Sequence, residues 1–200
     1  MITKKSAAIL LGVAAIAPLL QGCPAVLLAG VGTTAVVADD RRTTGVFVED
    51  QNIELKVANE ISKKYGKTNG VDVRGTSFNR FVLLNGEVPN EEIRNDIAAI
   101  ASAVENVRNV QNEIQVGPPT TTQQKAADTA TTSRVKAGLL RASDIQANHV
   151  KVLTRDNVVY LMGLVSPLEA DTATEVARTT GGVEKVVRVF EIEQPQAQQQ

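Results

Sequence analysis

The chain carries one internal repeat, a pattern of apolar residues and glycines that occurs twice at a spacing of 76 to 79 residues. Its clearest part is Val-x-Leu-x-Gly-x-Val, which fills residues 82–88 and again residues 159–165. The order of matched positions is the same in both copies, and the spacing changes only slightly, at turn-like sites. The other matched pairs are Val57 with Val135, Ile61 with Leu139, Val71 with Val150, Val73 with Val152, Val107 with Val183, Val110 with Val186, Ile114 with Phe190 and Val116 with Ile192. Such a repeat predicts two copies of one small structural unit.

The spacing of apolar residues predicts the same order of elements in each copy: helix, strand, strand, helix, strand. The first strand alternates apolar and polar residues. The second strand, at residues 81–84 and 158–162, is almost entirely apolar and is expected at the centre of a sheet. Asn90 is the candidate N-cap of the second helix in copy one, and Ser166 and Glu169 form a capping box in copy two. We predict an α+β fold in which two helices cover one face of a three-stranded mixed sheet.

These motifs resemble the BON domain. The similarity rests on Val-x-Leu-x-Gly-x-Val in both copies and on Gly-Val-x-x-Val at residues 182–186. Copy one departs from the family pattern at Asn106, because a glycine usually precedes the valine that is Val107 here. The resemblance implies two tandem BON domains, a bacterial module that binds phospholipid membranes and supports the integrity of the outer membrane. It also implies partners among the proteins of the envelope or of cell division.

The first 23 residues resemble a bacterial lipoprotein signal. Lys4 and Lys5 precede an uncharged and mostly apolar run, residues 6–20, which is shorter than the ~20 residues of a membrane-spanning helix. Leu-Leu-Gln-Gly then leads to Cys23, the only cysteine of the chain. In such signals the cysteine receives diacylglycerol and further acylation, typically palmitate, so Cys23 is the predicted lipidation site. An aspartate directly after the cysteine would resemble a signal for retention in the inner membrane, but this chain has Pro24 there. The expected location is therefore the periplasmic side of the outer membrane.

The signal, the repeat and the composition between the copies divide the chain into segments. A Gly-Pro-Pro sequence at residues 117–119, followed by threonines and glutamines, is typical of a linker, and the glutamine-rich end is typical of a disordered tail. The predicted segments are a signal peptide (1–22), a lipidated tether (23–45), BON domain 1 (46–116), a linker (117–128), BON domain 2 (129–193) and a disordered tail (194–200).

Composition argues against several classes of function. The formal net charge is −1, and it becomes −3 when Lys4 and Lys5 leave with the signal, so no basic excess indicates nucleic-acid binding. One histidine and one cysteine cannot form a Cys/His zinc cluster, and the sequence contains no phosphate loop or nucleophile elbow. His149 is expected at the surface or at a strand edge, and Asp50 at a helix start or in a loop. We therefore expect no metal, no cofactor and no enzymatic activity.

The first helix of copy two carries the candidate membrane-binding residues. Its core positions are expected to face the sheet, so that Leu140 points about 100° away from the preceding core leucine. Arg134, Lys136 and Arg141 flank Leu140 and place this apolar side chain within a small basic patch. A basic and partly apolar helix face suits the interface of an anionic bilayer. Arg134, Lys136, Leu140 and Arg141 are thus the predicted residues for binding anionic phospholipid.

Two alternatives stay open at this point. Leu140 could pack against copy one or against the loop near Ile145, and the charges would then form a solvated face. The chain could also be a non-enzymatic protein-interaction module of the envelope that only its acyl chains hold at the membrane. The aligned residues of copy one, which are less apolar, are Lys56, Ala58, Ser62 and Lys63.

Overall fold

The structure is a computed structural model that describes residues 40–193. Its elements are α1 (Thr44–Tyr65), β1 (Asp72–Phe78), β2 (Phe81–Val88), α2 (Glu91–Ser102), β3 (Asn109–Val116), α3 (Thr122–Leu139), β4 (Val150–Arg155), β5 (Val158–Val165), α4 (Pro167–Arg178) and β6 (Lys185–Ile192). The signal segment, Cys23 and the predicted tail lie outside the described residues. The predicted order of elements occurs twice, so the α+β fold class and the duplication are confirmed.

Each copy forms a three-stranded mixed sheet; we call residues 44–116 repeat 1 and residues 122–192 repeat 2. In repeat 1, β2 pairs antiparallel with β1 and parallel with β3. In repeat 2, β5 pairs antiparallel with β4 and parallel with β6. The parallel pairs require a crossover, which α2 and α4 provide. The central strands are β2 and β5, as their apolar sequences predict.

A buried aspartate holds the hairpin turn of each repeat. The two turns, residues 79–80 and 156–157, have positive φ angles at both positions, as in the type I′ turns that suit two-residue hairpins. Asp50 accepts hydrogen bonds from the two backbone N–H groups of the first turn at 2.8 and 2.7 Å. Asp128 accepts the equivalent pair at 2.9 and 3.1 Å. The prediction that Asp50 lies at a helix start or in a loop was therefore wrong. Asp50 lies inside α1 and is buried, where its carboxylate supplies the acceptor that the backbone N–H groups of the turn need.

The pairing in the two hairpins shows that equivalent residues of the first strands, β1 and β4, lie 77 residues apart in the sequence. Val73 pairs with Gly86, and Val150 pairs with Gly163. The predicted spacing of 79 residues, which matches Val73 with Val152, is therefore wrong by two positions. A shift of two residues leaves every side chain on the same face of a strand, so an alternating pattern alone does not reveal it.

Two helices cover one face of each sheet and give each repeat its own hydrophobic core. The buried core of repeat 1 comprises Ile53, Val57, Ile61, Val82, Leu84, Val88, Ile97, Ala101, Val104 and Ile114. That of repeat 2 comprises Val135, Leu139, Ile145, Val150, Val152, Val159, Leu161, Val165, Ala170, Ala173 and Ala177. The strand positions and the first-helix positions in these cores belong to the predicted patterns, whereas Ala101, Ile145 and the three alanines of α4 were not predicted.

The opposite faces of the two sheets pack against each other. Phe78 and Leu83 of repeat 1 form one buried cluster with Tyr160 and Met162 of repeat 2. Burial raises the pKa of Tyr160 to about 12. The apolar sequence of β5 predicted that at least one face of this strand is buried. In the structure the helices of repeat 2 bury one face, and repeat 1 buries the other. All described elements accordingly belong to one compact unit.

The residues before α1 connect the two repeats. Arg42 donates a hydrogen bond to Asp50 of repeat 1 at 2.8 Å. Arg41, its neighbour, donates to both carboxylate oxygens of Glu169 in repeat 2, at 2.7 and 3.0 Å. Two adjacent arginines thus contact different repeats, and the chain enters the folded unit where the repeats meet.

Helix α3 begins inside the segment predicted as a linker. Its N-cap is Thr121, whose hydroxyl accepts a hydrogen bond from the N–H of Gln124 at 3.2 Å. The polar segment that was predicted as a linker is helical from Thr122 onward. The N-cap at Thr121 and the buried Asp128 stabilise the first turns of this helix. Only residues 117–121 form a non-helical connection.

Candidate membrane-binding face of repeat 2

Helix α3 ends beside an exposed leucine. Leu139, the last residue of the helix, is fully buried, whereas the side chain of Leu140 is 76 % exposed. One residue along a helix rotates the side chain by about 100°, which explains why neighbours point into the core and into solvent. The structure therefore excludes the alternative in which Leu140 packs against repeat 1 or near Ile145.

The basic side chains around Leu140 have no acidic partners in the part of the chain that the structure describes. Arg134, Lys136 and Arg141 take part in none of the ion pairs formed within residues 40–193. Arg134 donates a hydrogen bond to the hydroxyl of Thr131 at 2.8 Å. A neutral hydroxyl leaves the charge of the guanidinium uncompensated, so these cations can still bind an anion.

The structure divides the predicted residues between two adjacent surfaces. Arg134 and Arg141 line an open groove of about 470 Å³ between α3 and α4. Lys136 and Leu140 do not line this groove; they are both exposed and lie four residues apart on the outward side of the helix end. We call the whole arrangement the basic face. It consists of a cationic groove next to an apolar outer edge, where the sequence predicted a single patch.

Gly138 lets the two helices of repeat 2 approach closely, and sequence reasoning missed it. A Cβ atom at this position would lie 2.6 Å from Cγ1 of Val176. Glycine within a helix costs about 1 kcal/mol relative to alanine, so a glycine inside α3 was the available signal for a packing constraint. Thr179 and Thr180, which directly follow α4, also line the groove and were missed, because no pattern sets them apart from other polar residues at a helix end.

Repeat 1 presents a different surface at the equivalent positions. Ser62 stands at the position of the exposed leucine, and Lys56 and Lys63 stand at those of the two arginines. Lys56 pairs with Glu105 at 3.2 Å, and Lys63 pairs with Glu60. Repeat 1 therefore has neither the exposed apolar side chain nor uncompensated charge at this place.

His149 is buried, and the prediction of a surface or edge position was wrong. The residue is 7 % exposed, and its Nδ1 lies 3.3 Å from Oε1 of Glu169. Burial alone would raise the pKa of Glu169, but hydrogen bonds from the Ser166 backbone N–H, Arg41 and His149 outweigh it and lower this pKa to about 2. The ionised carboxylate thus joins the start of α4 to the residues that precede α1.

Residues 40–193 contain neither a metal-binding cluster nor a membrane-spanning helix. No group of three or more His, Cys, Asp or Glu side chains there is placed to hold a metal ion. No helix within this range is long and apolar enough to cross a membrane. Cys23, the predicted lipidation site, lies outside this range and stays a prediction.

Comparison with known proteins matches both repeats to one family. The family model for the BON domain matches residues 49–118 and 127–194. The chain is 37% identical over 186 residues to outer membrane lipoprotein DolP of Haemophilus influenzae, covering 93% of this chain and 95% of that protein. It is 34% identical to the 21 kDa hemolysin of Actinobacillus pleuropneumoniae, over 76% of this chain and 78% of the hemolysin. It is 32% identical to osmotically-inducible protein Y of Escherichia coli, over 71% and 72% of the two chains.

Proposed function

Because this chain belongs to the BON-domain family, with one BON domain in each repeat, we propose that repeat 2 binds anionic phospholipid through the basic face. The chain is an outer-membrane lipoprotein, the description that its Haemophilus relative also carries. Phospholipid binding by the folded unit would give the anchored protein a second contact with the membrane and so support the integrity of the envelope. This role is non-enzymatic.

One observation carries the proposal: uncompensated cations surround an exposed leucine in repeat 2 and not in repeat 1. Each basic side chain near an anionic surface contributes about 1 kcal/mol. Insertion of Leu140 into the interface adds about 1.5–3 kcal/mol. The chain contains no tryptophan, a residue that usually strengthens interfacial binding. The folded unit alone is therefore expected to bind the bilayer with modest affinity.

Lipidation would make a modest affinity sufficient. With Cys23 acylated, residues 24–39 connect the membrane to the folded unit, and a segment of that length spans at most about 55 Å. A binding site held this close to the membrane encounters it at a high effective concentration. Phospholipid binding by repeat 2 would then control how the folded unit lies on the membrane rather than whether the protein is attached.

Liposome binding of a fragment of residues 39–200, which contains all described elements and lacks most of the tether, tests this proposal. We expect cosedimentation with phosphatidylglycerol liposomes and little with phosphatidylcholine liposomes. Binding should weaken as salt rises, because the Debye length shortens from about 10 Å at 0.1 M to about 3 Å at 1 M ionic strength. Equal binding to both lipids would contradict recognition of the anionic headgroup.

The predicted anchor is tested in the full chain. Cys23→Ala removes the only thiol that can accept a thioether-linked lipid. We expect loss of label from a palmitate analogue, with release from membranes or accumulation of uncleaved precursor. Equal labelling of the variant and the original chain would show that Cys23 is not the lipidation site.

A second candidate function is docking of an envelope protein to repeat 1. Val48 and Leu55 are 52% and 63% exposed and lie seven residues apart, which places them on one side of α1. Two exposed apolar side chains on one helix face favour a protein contact. Leu55→Glu should then abolish crosslinks from α1 to an envelope protein and leave liposome binding unchanged. Unaltered crosslinks would contradict docking at this face.

A further inference from the structure

A polar cleft of about 350 Å³ opens where the two repeats meet. Repeat 1 contributes Arg74 from β1 and Asn85 from β2. Repeat 2 contributes Lys125 and Thr129 from α3, together with residues of β4. The cleft shares no lining residue with the groove of the basic face, so it is a separate candidate site.

Asn85 is the unusual residue of this cleft. It is only 6 % exposed, it lines the cleft, and its side-chain amide makes no hydrogen bond with any residue from 40 to 193. Among residues 40–193, the fully buried side-chain polar atoms without a partner belong to Thr76, Arg80 and Arg94, so the Asn85 amide is instead reached by solvent through the cleft. The equivalent position in repeat 2 is the buried Met162, so the fold itself accepts an apolar side chain here. The Asn85 amide is therefore a hydrogen-bonding group on the wall of the cleft that no other described residue uses.

Arg74 supplies a free positive charge next to this amide. It lies directly across from Asn85 in the pairing of β1 with β2. It is exposed and takes part in none of the ion pairs or side-chain hydrogen bonds formed among the described residues. The other two cations of the cleft are already engaged, since Lys125 and Arg155 both contact Asp72, at 2.5 and 2.6 Å.

We propose that this cleft binds a phosphate group, with the Arg74 guanidinium and the Asn85 amide as its main donors. A guanidinium offers two parallel N–H groups to an oxyanion, and the amide offers two more. Lys125 and Thr129 line the cleft from α3 but are already engaged, since Thr129 donates its hydroxyl hydrogen to the Lys125 carbonyl at 2.9 Å. The four N–H groups of Arg74 and Asn85 can bond more than one oxygen of a tetrahedral phosphate. Asp128, which also lines the cleft, accepts three hydrogen bonds from repeat 2 itself. The phosphate comes from a soluble ester or from a lipid headgroup.

Titrations of isotope-labelled residues 39–200 distinguish these sources. The probes are inorganic phosphate, glycerol 3-phosphate, and nanodiscs of phosphatidylglycerol or phosphatidylcholine. The readout is the NMR signal of the Asn85 side-chain amide and of the Arg74 Nε–H. Saturable shifts with the soluble phosphates support a soluble ester, and saturable shifts with phospholipid nanodiscs alone support a headgroup. The absence of a saturable shift with every probe would overturn the proposal.

Two variants separate a binding site from a structural role. Arg74→Gln should weaken binding at least tenfold without affecting the fold, because Arg74 is exposed and unbonded within the described chain. Asn85→Met introduces the residue that repeat 2 carries at this position; it should abolish binding and raise the melting temperature. A lower melting temperature, with binding retained, would show that Asn85 is structural and overturn the assignment.

The controls keep this site apart from the basic face. Arg108→Gln removes an exposed arginine of repeat 1 outside the cleft and should leave phosphate binding unchanged. Leu140→Glu should also leave the shifts with soluble phosphate unchanged, even if it abolishes liposome binding. If Arg74→Gln and Asn85→Met both bind every probe as tightly as the original chain, the proposal is wrong.

Discussion

Repeat 1 and repeat 2 share one fold but differ in how they compensate surface charge. Lys56 on the first helix of repeat 1 pairs with Glu105 of the same repeat. The equivalent Arg134 of repeat 2 bonds a hydroxyl and no carboxylate within the described chain, and the exposed Leu140 lies close to it in sequence. The buried positions therefore determine what the copies have in common, and the partners of exposed cations determine which copy can bind an anion.

The two repeats also differ on the inner faces of their sheets, the faces that pack against each other. Repeat 2 presents Tyr160 and Met162, which are apolar over most of their surface, and repeat 1 covers them with Phe78 and Leu83. The inner face of repeat 1 also includes polar Asn85. Neither sheet could expose its face alone at low cost, because a contiguous apolar patch in water is unfavourable. The two repeats consequently depend on each other although each has a core.

The largest expected effect tests this mutual dependence. Leu84→Ala and Leu161→Ala remove equivalent, fully buried side chains from the two central strands. Each should lower the free energy of unfolding by about 2–5 kcal/mol, the range for a leucine replaced by alanine in a core. We expect both to shift one cooperative transition in calorimetry. Two transitions, each sensitive to one variant, would show that the repeats unfold independently.

Much of this fold follows from patterns in the sequence. The duplication predicted two copies, and the capping box at Ser166 and Glu169 predicted the start of α4, which the structure shows. The contact between the sheets was not predictable, because an all-apolar strand such as β5 shows that it is covered but not by what. The roles of Asp50 and Asp128 were hidden for a related reason: their partners are backbone amides that are distant in sequence and have no signature.

The candidate site was predictable in part. One-residue spacing along a helix was enough to place Leu140 in solvent, next to Leu139 in the core. It could not show that Arg134 and Arg141 turn toward α4, because the groove depends on how two helices pack. The burial of His149 was also beyond reach, since it depends on Glu169 being brought to it by the fold.

The next expected effect concerns acid stability and Glu169, a position that Ile93 occupies in repeat 1. The pKa of Glu169 is about 2 in the folded chain, against an ordinary value of 4.5. A depressed folded pKa stabilises the protein above the unfolded value, and the stabilisation is lost as pH falls from about 4.5 toward 2. The loss should reach about 3 kcal/mol in denaturant titrations. Glu169→Gln should flatten this part of the profile; an unchanged profile would contradict the assignment to Glu169.

A smaller effect, on affinity, compares the two helix ends directly. Leu140→Glu removes the apolar side chain and adds a negative charge to the basic face. We expect binding of residues 39–200 to phosphatidylglycerol liposomes to weaken ten- to a hundredfold, which corresponds to about 1.5–3 kcal/mol. Ser62→Glu, the matched change in repeat 1, should have much less effect, and neither should alter the melting temperature. If Leu140→Glu binds as before, lipid recognition does not involve the basic face.

The smallest expected effect comes from a double substitution that makes the surface charge of repeat 1 more like that of repeat 2. Glu60→Gln with Glu105→Gln frees Lys63 and Lys56 of repeat 1 from their acidic partners without changing the shape of either side chain much. All four side chains are at least 46% exposed, so these ion pairs contribute little to stability and the melting temperature should stay nearly constant. Two released cations should strengthen binding to anionic liposomes by about 1 kcal/mol each at most, and high salt should remove the gain. If uncompensated charge is what distinguishes repeat 2, Leu140→Glu should weaken binding less in this background than in the original chain. An affinity unchanged by the double substitution would show that the exposed leucine and the groove, rather than charge compensation, separate the two repeats.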